Sequence, residues 1–237
     1  MEINEFIDEL KKINIELSLE QLNQLEQYYN LVIEKNKVMN LTGITDKKEF
    51  YLKHFYDSLT LNKIVSLKEI DSLCDIGSGA GFPGIVLKIA FPHLKITLVD
   101  SLNKRIIFLN EVINNLNLKN IEAICTRAED YSRINEEKYD LVTARAVASL
   151  SILLECSIRL VKNGKFFVAM KGNQIESFNH EKELQVKKIE EIDFKLPFEE
   201  SERKLIKFQK INSTPKKYPR AYSAIKAGSL SNSVGRQ

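Results

Sequence analysis

Hydrophobic residues follow two different rhythms along the chain, and the change comes near residue 70. Before it, apolar positions recur every three or four residues, which predicts helices. The sequence Ser18-Leu-Glu-Gln21 is a capping box that marks a helix N-terminus. After a break at Gly43, a further helix is predicted over 47–64. We therefore expect a helical extension over residues 1–65.

Beyond this point, short apolar runs alternate with amphipathic stretches. The alternation predicts βαβ units, and hence an α/β fold with helices on both faces of a mostly parallel sheet. The last two strands are joined by a short loop around Pro197, so we expect an antiparallel hairpin at one end of a core over 66–212. The predicted strands are 72–76, 95–100, 121–125, 139–144, 165–172, 187–195 and 203–211, and the helices between them are 83–91, 103–116, 149–161 and 173–185.

Glycines concentrate where the first predicted strand turns into a helix. Four of the nine glycines lie in the eight residues from Gly77 to Gly84. Glycine lets the backbone approach a ligand closely, and the carboxyl ends of parallel strands are where open α/β sheets bind ligands. Asp100 ends the second strand, where a carboxylate can accept both hydroxyls of a ribose. The alternative is a tight turn with Asp100 as a helix cap.

The spacing of the loop discriminates between nucleoside ligands. Dinucleotide-binding loops follow GxGxxG, but the third glycine position here is Phe82. The pattern Asp75-x-Gly77-x-Gly79-x-Gly81 instead resembles motif I of the class I S-adenosylmethionine (SAM)-dependent methyltransferases. That resemblance implies a Rossmann-like, seven-stranded sheet ending in an antiparallel hairpin. SAM carries a ribose and no pyrophosphate.

The segment after the fourth strand, TARAVAS (143–149), bears on the methyl acceptor. It has no NPPY-type signature for exocyclic amines and no cysteine to attack a pyrimidine ring. An acceptor that is already nucleophilic remains, and the N7 lone pair of guanine fits because it needs no general base. Arg145 can hold guanine or phosphate, since both are common arginine contacts. Alternatively, Arg145 caps the sheet edge or pairs with an acid.

Several motifs together resemble one family, RsmG (GidB, glucose-inhibited division protein B), over nearly the whole chain. The resemblance implies a bacterial 16S rRNA guanine-N7 methyltransferase that uses SAM and acts on a single guanine of the small ribosomal subunit RNA. The motifs are NLTGIT (40–45), H-x-x-DSL (54–59), DIGSGAGFPG (75–84), LVDS (98–101), RAE (127–129), TARAVA (143–148), MKG (170–172) and KKYPR (216–220).

The resemblance also implies a set of site residues. Thr126-Arg-Ala-Glu129 reads as a capping box as well, so a helix cap is the alternative for Glu129. His54 and Asp57, followed by Ser58, are expected beside the active-site mouth as positioning residues; a structural histidine or a helix cap is their alternative. The implied SAM contacts are Gly77, Phe82, Asp100, Ser101, Leu102, Ala128, Glu129 and Arg145.

Charge points to a polyanionic partner. Nine basic residues and no acidic one follow Glu202, in a chain of formal net charge +3. We expect a basic C-terminal tail over 213–237, with Tyr218 and Tyr222 either stacking on bases or packing against the sheet. The end of the tail, AIKAGSLSNSVGRQ, departs from the family pattern. The RNA-phosphate candidates are Lys171, Lys216, Lys217 and Arg220.

Composition excludes several other classes. The 237 residues are 43% hydrophobic and 28% charged, and the three scattered cysteines make no zinc spacing. The acidic N-terminus lacks the apolar core of a signal peptide, so we expect a cytoplasmic protein. We further expect a monomer that binds no metal, membrane or DNA. Competing hypotheses are a small-molecule or protein methyltransferase, a non-catalytic RNA-binding protein and a nicotinamide dehydrogenase.

Overall fold

The computed structural model describes residues 1–145, 148–172, 178 and 180–227, and within them a seven-stranded sheet. The strand order is β3-β2-β1-β4-β5-β7-β6. β1 to β5 pair in parallel, and β7 runs antiparallel to both β5 and β6. The predicted fold with its antiparallel hairpin is therefore confirmed. The strands are β1 (Ser72–Ile76), β2 (Lys95–Asp100), β3 (Ile121–Cys125), β4 (Tyr139–Arg145), β5 (Val161–Lys171), β6 (Val186–Lys195) and β7 (Glu202–Lys210).

Helices flank both faces of this sheet. No helix in the described ranges combines the length and apolarity needed to span a bilayer. Of the helix predicted over 173–185, residues 173–177 and 179 lie outside the described residues, and the described part contains a short helix at Glu181–Leu184. The α-helices are α1 (Ile3–Lys12), α2 (Leu19–Met39), α3 (Lys47–Phe50), α4 (Asp57–Leu59), α5 (Gly84–Ala90), α6 (Asn103–Asn115), α7 (Ala128–Ile134), α8 (Leu150–Ser157), α9 (Glu181–Leu184) and α10 (Tyr222–Lys226).

The N-terminal helices share one core with a face of the sheet. Ser18 and Gln21 cap α2 reciprocally, as the sequence predicts. The Gln21 side chain also donates to two carbonyls at the end of α5. The buried Tyr28 hydroxyl donates to the Ala80 carbonyl in the glycine loop at 2.6 Å. The predicted extension is thus part of the folded body and supports the loop from below.

The helix predicted over 47–64 is divided into turns of different width. A π-helix, Tyr51–Tyr56, joins α3 to α4, and a 3₁₀ turn, Thr60–Lys63, follows. π-turns inside helices are rare and occur frequently at functional sites. His54 lies on this π-turn, and Asp57 follows directly after it.

The C-terminal region predicted as a basic tail is attached to the body of the protein over residues 213–227. Residues 213–227 pack against the helices on one face, and 228–237 lie outside the described residues. Arg159 donates to the Tyr218 carbonyl at 3.0 Å, and Arg133 donates to the Pro219 and Arg220 carbonyls. Tyr218 is buried, so it packs and does not present a ring for base stacking. Arginines on the body satisfy the backbone carbonyls of this segment, which holds it in place.

Candidate active site

A cavity of about 510 Å³ opens at the carboxyl ends of β1 to β4. β1 lies between β2 and β4, so the direction of strand succession reverses beside it, which is the usual ligand position in open α/β sheets. The volume lies within the range of ordinary ligand pockets, about 300–1,000 Å³. Predicted residues among its lining are His54, Gly77, Phe82, Asp100, Ser101, Ala128, Glu129 and Arg145.

The glycine loop covers the end of β1 in a conformation that only glycine tolerates well. Gly77 has φ +70° and Gly81 has φ +106°. A Cβ on Gly81 would lie 2.6 Å from the Tyr28 hydroxyl oxygen. The Gly77 amide donates to the Val99 carbonyl at 2.8 Å, which ties the loop to β2. The predicted loop therefore forms a fixed wall of the cavity.

Asp75 lies beneath this loop and is a residue to which the sequence assigned no role beyond the motif pattern. Its Oδ2 accepts the Gly84 amide at 2.9 Å, whereas its Oδ1 has no hydrogen-bond partner among the described residues. Burial raises the pKa of the Asp75 carboxyl to about 7. A Cβ on Gly84 would lie 2.8 Å from Oδ2 and 2.2 Å from a Leu98 methyl carbon. This carboxyl fixes the junction between the loop and α5.

Asp100 is buried at the end of β2 and borders the cavity. Its Oδ2 accepts from the Gly79 amide at 3.0 Å and from Arg105 at 3.1 Å, and its Oδ1 accepts from the Leu102 amide at 2.9 Å. α6 begins with Leu102 as N-cap and without a side-chain cap, so the helix-cap alternative is wrong. Ser101 borders the cavity. The Leu102 side chain is 42% exposed and is not part of the lining.

The segment after β3 supplies the opposite wall. Ala128 and Glu129 border the cavity, and Glu129 is buried. The capping-box interpretation of Thr126 to Glu129 is wrong, because Arg127 is the N-cap of α7 and no side chain caps it. Glu129 lies at the second position of the helix, and its side chain does not cap the helix. Tyr222 of α10 also lines the cavity, which the sequence did not predict.

Arg145 joins the sheet to the N-terminal helices. At the end of β4, it donates to the Lys53 carbonyl at 3.1 Å, to Asp57 Oδ2 at 3.2 Å and to His54 Nδ1 at 3.2 Å. Asp57 is buried, and its Oδ1 accepts from Arg203 Nε of β7 at 3.1 Å. Arg145 thus pairs with an acid, as the second interpretation predicts, and it also borders the cavity. Arg203 was missed because it is 146 residues from Asp57 in sequence.

His54 is held in one tautomer by these contacts. A guanidinium only donates, so Nδ1 accepts from Arg145, and Nε2 donates to Thr42 Oγ1 at 2.7 Å. Burial and the Arg145 charge lower the pKa of His54 to about 3. The His54 ring stacks on the Phe82 ring, with 4.3 Å between ring centres and 5° between ring planes. The guanidinium carbon of Arg145 lies 5.2 Å from the centre of the Phe82 ring. His54 is neutral at physiological pH, with its basic nitrogen covered.

A second cavity of about 330 Å³ adjoins the first, and His54 and Arg145 line both cavities. Part of its lining is apolar, and its charged lining carries more positive than negative groups. Lys53 pairs with Glu49 and Glu199, and Lys204 pairs with Glu191 and Asp193. The remaining lining includes Ile44, Asp57, Met170, Lys171, Phe194, Arg203 and Leu205.

The structure separates the four RNA-phosphate candidates. Lys171 lines the second cavity and donates to the Ala148 carbonyl. Lys216 and Lys217 are exposed, and Lys217 lies over the Tyr218 ring. Arg220 makes a bidentate pair with the buried Glu155, both bonds at 2.8 Å. That pair engages two of the guanidinium nitrogens of Arg220 and ties the C-terminal segment to α8.

Comparison with known proteins identifies the family. A family model described as rRNA small subunit methyltransferase G (GidB) matches residues 21–206. The chain belongs to this family. It is 48% identical over 227 residues to ribosomal RNA small subunit methyltransferase G of Lysinibacillus sphaericus, and 47% identical over 227 residues to that of Bacillus subtilis. Each alignment covers 93% of this chain and 95% of the relative.

Among solved structures, a SAM-dependent methyltransferase from Aquifex aeolicus superposes with a TM-score of 0.52 at 16% identity. The alignment covers 69% of this chain and 94% of that one. Such a likeness shows the fold, and the family shows the activity. The chain is a SAM-dependent methyltransferase, so the predictions of fold, family, enzyme class and cofactor are confirmed.

The cavity residues fit the cofactor. A loop with little side-chain bulk borders one end, a buried carboxylate whose oxygens accept three donors lies in the middle, and apolar side chains of α8 border the rest. A nucleoside carrying an amino-acid tail needs these three environments in sequence. We expect Gly77 and Phe82 beside the methionine part, Asp100 and Ser101 beside the ribose, and Ala128 and Glu129 beside the adenine.

Proposed function

We propose that this enzyme transfers a methyl group from SAM to N7 of one guanine in the 16S rRNA of the small ribosomal subunit. The observation that carries the proposal is the pair of cavities with a shared wall of His54 and Arg145. The family description names small-subunit rRNA as the target of its members. The acceptor base would occupy the second cavity and meet the methyl group at the shared wall.

Among the residues that the structure describes, none at the wall shared by the two cavities is placed to act as a general base. The described groups nearest the shared wall are a neutral histidine with a covered Nδ1, an arginine and an aspartate held by two arginines. Bound SAM supplies an electrophilic methyl group on a sulfonium. A nucleophile that needs no deprotonation suits this set, which supports guanine N7. Catalysis is then proximity and in-line orientation.

Arg145 is the residue that we propose holds the base. A guanidinium has five N–H donors, and its contacts to described residues use three. The remaining donors suit the guanine O6, which lies beside N7. His54 and Asp57 act through Arg145, so both are positioning residues. Phe82 supports the underside of the same guanidinium.

The rim of the second cavity suits the RNA backbone. We assign Lys171 and Arg203 to phosphates next to the target nucleotide, because both line this cavity. Lys216 and Lys217 extend the same role to the exposed C-terminal region. The apolar lining residues Met170 and Phe194 suit a splayed base, since RNA readers hold unstacked bases on apolar and aromatic side chains. We also propose that the enzyme is a cytoplasmic monomer and that it does not act on DNA.

The test is methyl transfer to small subunits from cells that lack this enzyme. The protein is incubated with SAM labelled in its methyl group, and N7-methylguanine is mapped by chemical strand cleavage. We expect label at one guanine of the 16S rRNA, and loss of label with Arg145→Ala, which removes the proposed contact to the base. Label on another nucleobase atom, or on ribosomal protein, would overturn the assignment.

A further inference from the structure

The C-terminal segment, residues 211–227, reaches the cofactor cavity through one aromatic ring. Tyr222 starts α10, and its side chain is part of the cavity lining. The family model matches residues 21–206, so this segment lies beyond that model, although its KKYPR motif (216–220) resembles the family. From sequence, Tyr222 was a candidate for RNA bases or for packing, and neither interpretation places it at the cofactor.

The segment is anchored by charge-assisted bonds to buried groups. Glu155 of α8 is 1% exposed and accepts the Arg220 amide at 3.1 Å in addition to the bidentate guanidinium pair. Arg159 and Arg133 hold the carbonyls of the residues before Ala221. Bidentate pairs of this kind add geometric specificity as well as energy. Tyr222 follows two residues after this anchor, so its position is fixed by the body of the protein.

The position of Tyr222 along the cavity follows from the strand order. The glycine loop follows β1, Asp100 ends β2, and Thr126 to Glu129 follow β3, so these three groups succeed one another across the cavity. The Arg127 guanidinium carbon lies 5.7 Å from the centre of the Tyr222 ring. Tyr222 therefore lies at the β3 end, on the far side of Asp100 from the loop.

We propose that the C-terminal segment forms the outer wall of the adenine end of the cofactor site, with the Tyr222 ring as its contact. A ribose held at Asp100 directs the nucleobase toward β3, where the ring and the apolar residues Ile152 and Leu153 border the cavity. Aromatic side chains bind purine rings through the π face, which needs no hydrogen-bond partner. The phenol hydroxyl is not required.

The test measures binding of S-adenosylhomocysteine and of 5′-methylthioadenosine by calorimetry, without RNA. Tyr222→Ala should weaken both ligands by about tenfold, the loss expected for removing one aromatic contact to a base. Tyr222→Phe should stay within about twofold of wild type. Lys226→Ala, on the same helix, is the matched control and should bind like wild type. Thermal unfolding checks that each variant is folded; Tyr222 is 38% exposed, so its truncation leaves the core intact.

Two results would overturn the inference. One is wild-type affinity of folded Tyr222→Ala. The other is a loss confined to S-adenosylhomocysteine, which would move the ring to the amino-acid end, since methylthioadenosine lacks that part. Neither the two ligands nor the binding measurement involves a methyl acceptor. A failure of the guanine-N7 proposal therefore leaves this result unaffected, and a failure of this inference leaves the guanine-N7 proposal unaffected.

Discussion

Replacing Asp57 by asparagine tests whether the network behind Arg145 positions it. Asp57 is 6% exposed and offers one carboxylate oxygen to each of two arginines, Arg145 and Arg203. Asparagine keeps the shape but has a single acceptor oxygen. One arginine therefore loses its acceptor and faces an amide N–H₂ group instead.

The size of the effect follows from that lost bond. A hydrogen bond to a charged group contributes about 1.5–3 kcal/mol. We expect Asp57→Asn to lower the free energy of unfolding by about 2 kcal/mol, which is about 4–8 °C in Tm for a chain of this size. We also expect kcat to fall by about 10- to 100-fold, because displacing a positioning group such as Arg145 by about 1 Å has an effect of that size.

The assay compares single-turnover methylation of unmodified small subunits with SAM affinity and Tm in the same variant. Asp130→Asn is the matched control, because Asp130 pairs with Arg133 at the surface, with side chains 58% and 39% exposed. Exposed pairs contribute about 0–1 kcal/mol, so this control should behave as wild type. A wild-type kcat in folded Asp57→Asn would refute the positioning role.

Three further predictions concern the cofactor, pH and RNA. Asp100→Ala should weaken SAM binding by about tenfold or more, since a charged acceptor bond is lost; unchanged affinity in calorimetry would remove the ribose assignment. Burial raises the pKa of Asp75 to about 7, above its ordinary 3.8, so its stabilising contribution is present at low pH and is lost as pH rises through about 7. Asp75→Asn should therefore flatten the fall of Tm between about pH 4 and 7, and an unaltered slope would contradict it. Replacing Lys216 and Lys217 together by alanine should weaken rRNA binding and reduce its salt dependence at constant SAM affinity, measured by filter binding across a salt series.

Local patterns in the sequence were sufficient for the fold. The alternation of short apolar runs with amphipathic stretches predicted the strands, and Ser18 predicted the start of α2 correctly. Such signals succeed because they depend on neighbours three or four residues apart. The sequence predicted a basic tail over 213–237 but not how it is held: within 213–227, carboxylates and arginines from α7, α8 and the turn after α8 anchor the segment. Charge alone does not reveal which partner a basic residue will find.

At the candidate site, the sequence identified residues that line the cavity but not the partners of their side chains. Glu129 matched a capping box, yet the helix begins without a side-chain cap. Arg220 stood among exposed lysines in sequence, yet it pairs with a buried glutamate. A motif records spacing along the chain, whereas hydrogen bonds depend on direction in space.

The sequence by itself determined the α/β architecture, the glycine loop with its acid at Asp100, and the family. These depend on short-range periodicity and on backbone conformations that only glycine adopts. Tertiary structure alone decided which groups share a site. Arg145 and Arg203 meet at Asp57 across 88 and 146 residues, and Tyr222 meets the segment after β3. Parallel strands bring their carboxyl ends to one edge whatever their separation in sequence, so the composition of that edge is a property of the fold.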